Sequence, residues 1–167
     1  GYDPDLRGNL EAQIANVADE LAYTTHDLDD GLRSGMITPS MLAEIPLWQE
    51  VVEEIGWKGP ELEEMDRHRL IRKLVGKEVT DLVENTAESI HKSGVNSVEE
   101  VQKLDRNLIS FSADQKEKNS TLKKFLYQNL YRHHRVVRMA VRAERIITEI
   151  FNAYLEEPEM LPAKQQA

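Results

Sequence analysis

The chain has 167 residues, of which 40% are hydrophobic and 31% charged, enough for one folded domain. It contains no cysteine, which excludes a disulfide framework, a thiolate metal site and a cysteine nucleophile. The net charge of −9 is uneven, since residues 1–66 carry −13 and residues 67–167 carry +4, so the two parts either pair with each other or divide metal binding and phosphate binding between them.

Targeting signals are missing from the chain. No apolar run approaches the ~20 residues that cross a bilayer. The N-terminal stretch GYDPDLRGN lacks the basic and apolar regions of a signal peptide. We therefore expect a cytoplasmic protein that does not enter a membrane. The missing initiator methionine predicts a processed or excised piece.

Helical periodicity begins near the N-terminus. A first helix is predicted over 10–32, where six apolar residues share one face: Leu10, Ile14, Val17, Leu21, Leu28 and Leu32. Two short helical pieces broken at Pro46 follow. A long apolar stripe then predicts a helix over 61–92.

Two capping-box patterns mark the helices that follow. Ser97 with Glu100 opens a short helix, and Ser112 with Gln115 opens a helix that runs to about Tyr131. In both patterns the serine hydroxyl can accept a backbone hydrogen bond in the first helical turn. Between them, the stretch LISFS is predicted to be extended.

The last long helix is predicted over 134–155 and ends before Pro158 and Pro162. Because strand signals are sparse, we expect an all-α fold of roughly six to eight helices. We expect a single all-helical domain over 1–160 and a flexible tail over 161–167.

The acidic stretch VADELAYTTHDLDDG, residues 17–31, has two interpretations. Its polar side chains lie opposite the apolar face of the predicted helix: Asp19, Tyr23, His26, Asp27 and Asp30. This arrangement is typical of a solvated helix face. A self-contained metal site is disfavoured, because neighbours such as His26 and Asp27 point about 100° apart. His26 with Asp30 offers only two ligands.

The stretch LKKFLYQNLYRHHRV is a second candidate site. A lysine suits a triphosphate because it is a mobile point charge, and Tyr131 can stack on a base or sugar while donating a hydrogen bond. The alternative for Tyr131 is a packing aromatic. The adjacent pair His133 and His134 fits a cap at a helix junction better than a chelating pair.

Four arginines at helical spacing form a basic stripe: Arg135, Arg138, Arg142 and Arg145. The stripe is consistent with a solvated face, with pairing to the acidic part of the chain, with triphosphate or effector-nucleotide binding, or with single-stranded DNA. The negative net charge argues against nucleic acid as the main partner.

Several motifs resemble one family. The stretches LEAQIANVADELAYTTHDLDDGLRSG, HRLIRKLVGKEVTDLVENT, FSADQKEKNSTLKKFLYQNLYRHHRV and AERIITEIFNAYLEEPEMLP are similar, in order, to the bacterial deoxyguanosinetriphosphate triphosphohydrolase-like proteins of the HD superfamily. The family's upstream metal histidine, its metal-binding histidine–aspartate doublet and its catalytic histidine have no counterpart here. The resemblance therefore implies the C-terminal portion of a larger helical enzyme, with an HD-domain-like bundle.

The resemblance also implies roles for individual residues. Asp19 matches the last aspartate of the family's metal set, and Tyr23 and Asp27 match positions that face the deoxyribose and its 3′-hydroxyl. Three more positions match nucleotide-facing residues. They are one of the two neighbouring lysines, Lys123 or Lys124, together with Tyr131 and His133. His26 is then a neighbour of the site rather than a ligand.

The function implied is one part of a metal-dependent hydrolase that converts a deoxynucleoside triphosphate and water to deoxynucleoside and tripolyphosphate. A divalent ion, Mg²⁺ or Mn²⁺, would be held jointly with the missing N-terminal half, and the chain alone would be inactive. The family also implies a homo-oligomer. The alternative from a different class is a helical oligomerisation module, or a nucleotide- or single-stranded-DNA-binding module, without catalysis.

Overall fold

The computed structural model describes residues 6–59 and 61–165, and every regular element in these ranges is helical. The α-helices are α1 (Leu10–Arg33), α2 (Pro46–Ile55), α3 (Glu64–Ser93), α4 (Val98–Gln102), α5 (Ala113–Leu126) and α6 (His134–Glu156). A π-turn, Tyr127–Tyr131, joins α5 to α6. The predicted all-α class is confirmed. The first five residues of the predicted domain and the last two of the predicted tail lie outside the described residues.

Both serines cap their helices as predicted, but neither forms a full capping box, because the Glu100 carboxylate accepts the Asn96 N–H and the Ser112 N–H donates to Asp81. Ser97 Oγ accepts the backbone N–H of Glu100 at 3.2 Å, and Ser112 Oγ accepts that of Gln115 at 3.2 Å. The Ser112 hydroxyl also donates to Asp81 of α3 at 2.6 Å, which ties the start of α5 to α3. The start of the helix that carries the candidate lysines is therefore fixed by side-chain hydrogen bonds.

The core consists of two hydrophobic clusters. The larger one includes buried leucines from α1, α2, α3 and α5: Leu28, Leu47, Leu70, Leu74, Leu122 and Leu126. The smaller one joins α1 and α3 to the irregular segment before α5: Leu21, Leu82, Ile109 and Phe111. Burial of this apolar surface holds α1, α3 and α5 side by side.

Buried polar side chains occupy the level between the two clusters on each of the three long core helices. They are Thr24, Thr25, Glu78, Gln115 and Asn119. Thr25 satisfies its hydroxyl with the Leu21 carbonyl at 2.9 Å, and Gln115 donates to Asn119 at 2.8 Å. Glu78 is 0% exposed and is the ionisable member of this layer.

Gln13 holds the segment 108–111 against α1. Its Oε1 accepts the backbone N–H groups of Leu108 and Ile109 at 2.8 and 3.2 Å, and its Nε2 donates to the Gly8 carbonyl at 2.7 Å. This stretch, predicted to be extended, has no regular structure and is fixed by the buried glutamine instead.

Two predicted apolar faces are not buried. Ile14 is predicted on the core face of the first helix but is 52% exposed, because the covered side of this turn carries the buried Gln13 instead. On α6 the structure describes no buried residue, although the helix bounds agree with the prediction. Within the described ranges, no helix is long and apolar enough to cross a membrane.

Candidate functional site

A groove of about 510 Å³ lies between α1 and the end of α5 with its π-turn; we call it the α1–α5 groove. Its lining is Glu20, Tyr23, Thr24, Lys123, Lys124, Leu126, Tyr127, Gln128 and Tyr131. The walls combine aromatic rings with two lysines. Such a surface can stack a planar or sugar ring while holding an anionic group at its end.

The π-turn shapes one wall of the groove. The backbone N–H of Arg132 donates to the Tyr127 carbonyl at 3.1 Å, five residues back. Tyr127 and Tyr131, at the two ends of the π-turn, both line the groove. The Arg132 guanidinium lies 5.6 Å from the centre of the Tyr127 ring, within cation–π range.

A hydrogen bond closes one end of the groove. The Tyr131 hydroxyl donates to the Asp27 carboxylate across a separation of 104 residues. Burial, with the adjacent Asp27 carboxylate, raises the pKa of Tyr131 to about 12. Tyr131 is therefore a neutral donor at any physiological pH. Because Tyr131 donates only one hydrogen bond to the Asp27 carboxylate, Asp27 can also accept a hydrogen bond from a ligand hydroxyl.

An ion pair closes the other end. Lys123 Nζ of α5 contacts Glu20 Oε1 of α1, with the two side chains 40% and 49% exposed. Burial lowers the pKa of Lys123. Lys124, one residue on, is exposed and lines the same groove.

Asp19 lies one turn before Tyr23 on α1 and is exposed. Its carboxylate has no hydrogen bond or ion pair with any residue in the described ranges. Within those ranges, no group of three histidine, aspartate or glutamate side chains is placed to hold a metal ion. One carboxylate is too few ligands for a tight metal site.

The structure brings together most of the predicted site residues. Tyr23, Lys123, Lys124 and Tyr131 line the groove and Asp27 closes one end of it. His133 instead caps α6, where its Nδ1 accepts the Arg135 N–H at 3.3 Å and its ring lies 4.4 Å from that of His134. Sequence reasoning did not identify Glu20 or Tyr127. Tyr127 could have been found, because Lys123, Tyr127 and Tyr131 repeat every four residues.

Charge pairing between the acidic and basic parts of the chain also occurs away from the groove. Lys77 of α3 contacts Glu50 at 2.8 Å and Glu54 at 2.7 Å, and Lys73 contacts Glu54 at 2.7 Å. Hydrogen bonds from the two lysines lower the pKa of Glu54 to about 2. The predicted complementarity is therefore present between α2 and α3. The four arginines of the basic stripe are exposed on α6.

Comparison with known proteins gives consistent relatives. Residues 109–167 match the family described as phosphohydrolase-associated domain. A deoxyguanosinetriphosphate triphosphohydrolase-like protein of Geobacter sulfurreducens is 43% identical over 99% of this chain and 43% of its own length. Proteins of the same name from Geobacter metallireducens and Deinococcus deserti are 41% and 40% identical over 98% and 95% of the chain. The chain spans about two fifths of the length of these curated relatives.

Proposed function

The chain belongs to the family of deoxyguanosinetriphosphate triphosphohydrolase-like proteins, and on that premise we propose that it forms the nucleotide-binding part of such an enzyme. The parent enzyme hydrolyses a deoxynucleoside triphosphate to deoxynucleoside and tripolyphosphate. Since the chain spans about two fifths of its relatives, we assign the reaction to a longer parent polypeptide, of which this chain is the C-terminal part and inactive alone.

The observation that carries the proposal is the α1–α5 groove with its two closed ends. Tyr23 and Tyr131 contact the sugar or base, and Asp27 accepts the sugar 3′-hydroxyl with the carboxylate that Tyr131 orients. Lys123 and Lys124 bind the phosphates. Because His133 caps α6, it lies beside this site and does not line the groove.

Asp19 supplies one ligand of a divalent ion, Mg²⁺ or Mn²⁺, whose other ligands come from the rest of the parent. When bound, such an ion polarises the α-phosphate and lowers the pKa of the attacking water. Support for this assignment is the exposed, unpartnered carboxylate of Asp19 among the described residues, one turn from Tyr23. The Asp19 carboxylate can therefore coordinate a metal ion without breaking a hydrogen bond in the described part of the chain.

Replacing Asp27 by alanine should abolish selection for the 3′-hydroxyl. A hydrogen bond to a charged group contributes about 1.5–3 kcal/mol, so the parent should prefer dGTP over 2′,3′-dideoxyguanosine triphosphate by roughly 10- to 150-fold in kcat/KM. In Asp27→Ala the two substrates should react at similar rates. Tripolyphosphate release by the purified parent measures both.

Asp30→Ala is the matched control, because Asp30 is an exposed aspartate on the same helix that does not line the groove. It should retain the preference for dGTP. A preference that survives in Asp27→Ala would place sugar recognition elsewhere and contradict the assigned orientation of the nucleotide.

A second candidate function is assembly, favoured by the surface of α6. Ile147, Phe151 and Leu155 recur every four residues and are 67%, 61% and 65% exposed. A face of this kind is typical of a helix that packs on another copy of the same chain. Phe151→Glu should convert a self-associating chain into a monomer, as measured by sedimentation equilibrium. Glu149→Ala on the same helix should leave the association unchanged, and a monomeric wild type at about 100 µM would remove this candidate.

A further inference from the structure

Glu20 has no role in the proposed chemistry, yet its carboxylate pairs with Lys123, one of the two lysines assigned to the phosphates. It is an acid in a site assigned to polyphosphate, and like charges repel more strongly where water is partly excluded. Its carboxylate contacts the Lys123 ammonium from the opposite wall. A ligand phosphate that reaches Lys123 must therefore replace Glu20.

The two contacts that close the groove have a regular placement. Glu20 and Asp27 are seven residues apart on α1, two helical turns or about 10 Å along the axis. Their partners on the facing wall are Lys123 and Tyr131. The Lys123 ammonium and the Tyr131 hydroxyl are thus each held by a carboxylate of α1, and Tyr23 lies between these two carboxylates along the helix.

We propose that Glu20 is a positioning residue: its carboxylate holds the Lys123 ammonium across the α1–α5 groove, and an incoming polyphosphate takes its place. This inference rests on the proposed function, because it assumes that Lys123 binds phosphate. The side chain of Glu20 is half exposed, so it can turn into solvent when it is displaced.

The Glu20–Lys123 ion pair weakens the binding of any anion at Lys123, because the anion must first displace Glu20. Partly exposed ion pairs are weak, so Glu20 is a competitor that a ligand with several negative charges displaces. Removing its charge should leave Lys123 unpaired in the groove. The Glu20→Gln variant should then bind inorganic tripolyphosphate about two- to fivefold more tightly than the wild type.

The test uses the chain itself, inorganic tripolyphosphate and isothermal titration calorimetry at one fixed ionic strength, with the wild type, Glu20→Gln, Lys123→Gln and the double variant. Glu53→Gln is the matched control, because Glu53 is exposed on α2 outside the groove and loses the same charge. The gain in Glu20→Gln should vanish in the double variant and be absent in Glu53→Gln.

A second readout reports on the ion pair without any ligand. The pKa of Lys123, followed by NMR of its side chain and assigned through Lys123→Arg, should fall further in Glu20→Gln, because a contacting carboxylate that favours the charged ammonium is then removed. A glutamate that does not contact Lys123 in solution would not move this value. An unchanged pKa would overturn the inference.

The outcomes separate this inference from the proposed function. If Lys123→Gln weakens tripolyphosphate binding while Glu20→Gln does not strengthen it, Glu20 is no positioning residue and the phosphate role of Lys123 stands. If Lys123→Gln leaves the affinity unchanged, the phosphate role of Lys123 fails, and the inference about Glu20 fails with it.

Discussion

Replacing Glu78 by glutamine should stabilise the chain by about 3 kcal/mol near pH 8 and by about 1 kcal/mol near pH 5. Glu78 is 0% exposed, and neither of its carboxylate oxygens has a hydrogen-bond partner in the described part of the chain. Burial raises its pKa from 4.5 to about 7. The Asn119 side chain offsets part of this shift without completing a hydrogen bond.

The sign follows from the two pKa values. In the unfolded chain Glu78 ionises near pH 4.5, whereas in the folded chain it stays protonated up to about pH 7. The unfolded state therefore loses its proton first, and the free energy of unfolding falls as the pH rises between these values. Above about pH 7 the loss is complete, because the carboxylate is charged in both states. Glutamine keeps the shape of the neutral acid and avoids the loss.

Urea unfolding of the wild type and Glu78→Gln at the two pH values measures the effect. Glu84→Gln is the matched control, because Glu84 is an exposed acid on the same helix, and such changes usually fall within about 0.5 kcal/mol. A stabilisation by Glu78→Gln that is equal at both pH values would contradict the account, since it would not come from ionisation.

The helices could be predicted from the sequence because their signals are local. The serine caps at Ser97 and Ser112 bond to backbone groups three residues on, and both form as predicted. Burial was less predictable, because it depends on which neighbours cover a face. The apolar stripe of α3 includes Val79 and Val83, which are 44% and 60% exposed, whereas Glu78 beside them is fully buried.

The candidate site could likewise be predicted only in its local features. The four-residue spacing of Asp19, Tyr23 and Asp27 on one helix could be predicted, as could the chemistry of Lys123. The contacts of Glu20 with Lys123 and of Asp27 with Tyr131 cross from α1 to the end of α5. Such contacts depend on how two distant helices pack, and no local pattern specifies that.

Replacing Asp19 by alanine should lower the rate of tripolyphosphate release by the parent enzyme roughly 1,000-fold, the largest functional effect that we expect. The reason is that a metal ion with one protein ligand fewer is held weakly and in the wrong geometry. Because Asp19 is exposed and has no partner among the described residues, the variant should fold normally. Loss of activity would then report on the site and not on stability.

Metal binding gives an independent readout of the same change. In the parent, Asp19→Ala should lower the affinity for Mn²⁺, while Glu11→Ala, which removes an exposed carboxylate from the first turn of the same helix, should not. Thermal unfolding of the two variants should match that of the wild type.

The most direct test of the account is therefore tripolyphosphate release from dGTP by the parent enzyme with Mn²⁺ or Mg²⁺, as wild type and as Asp19→Ala. The account predicts an active wild type and an inactive variant that is folded. Equal rates would contradict it, because Asp19 would then be no ligand and the acidic stripe of α1 would be an ordinary solvated helix face.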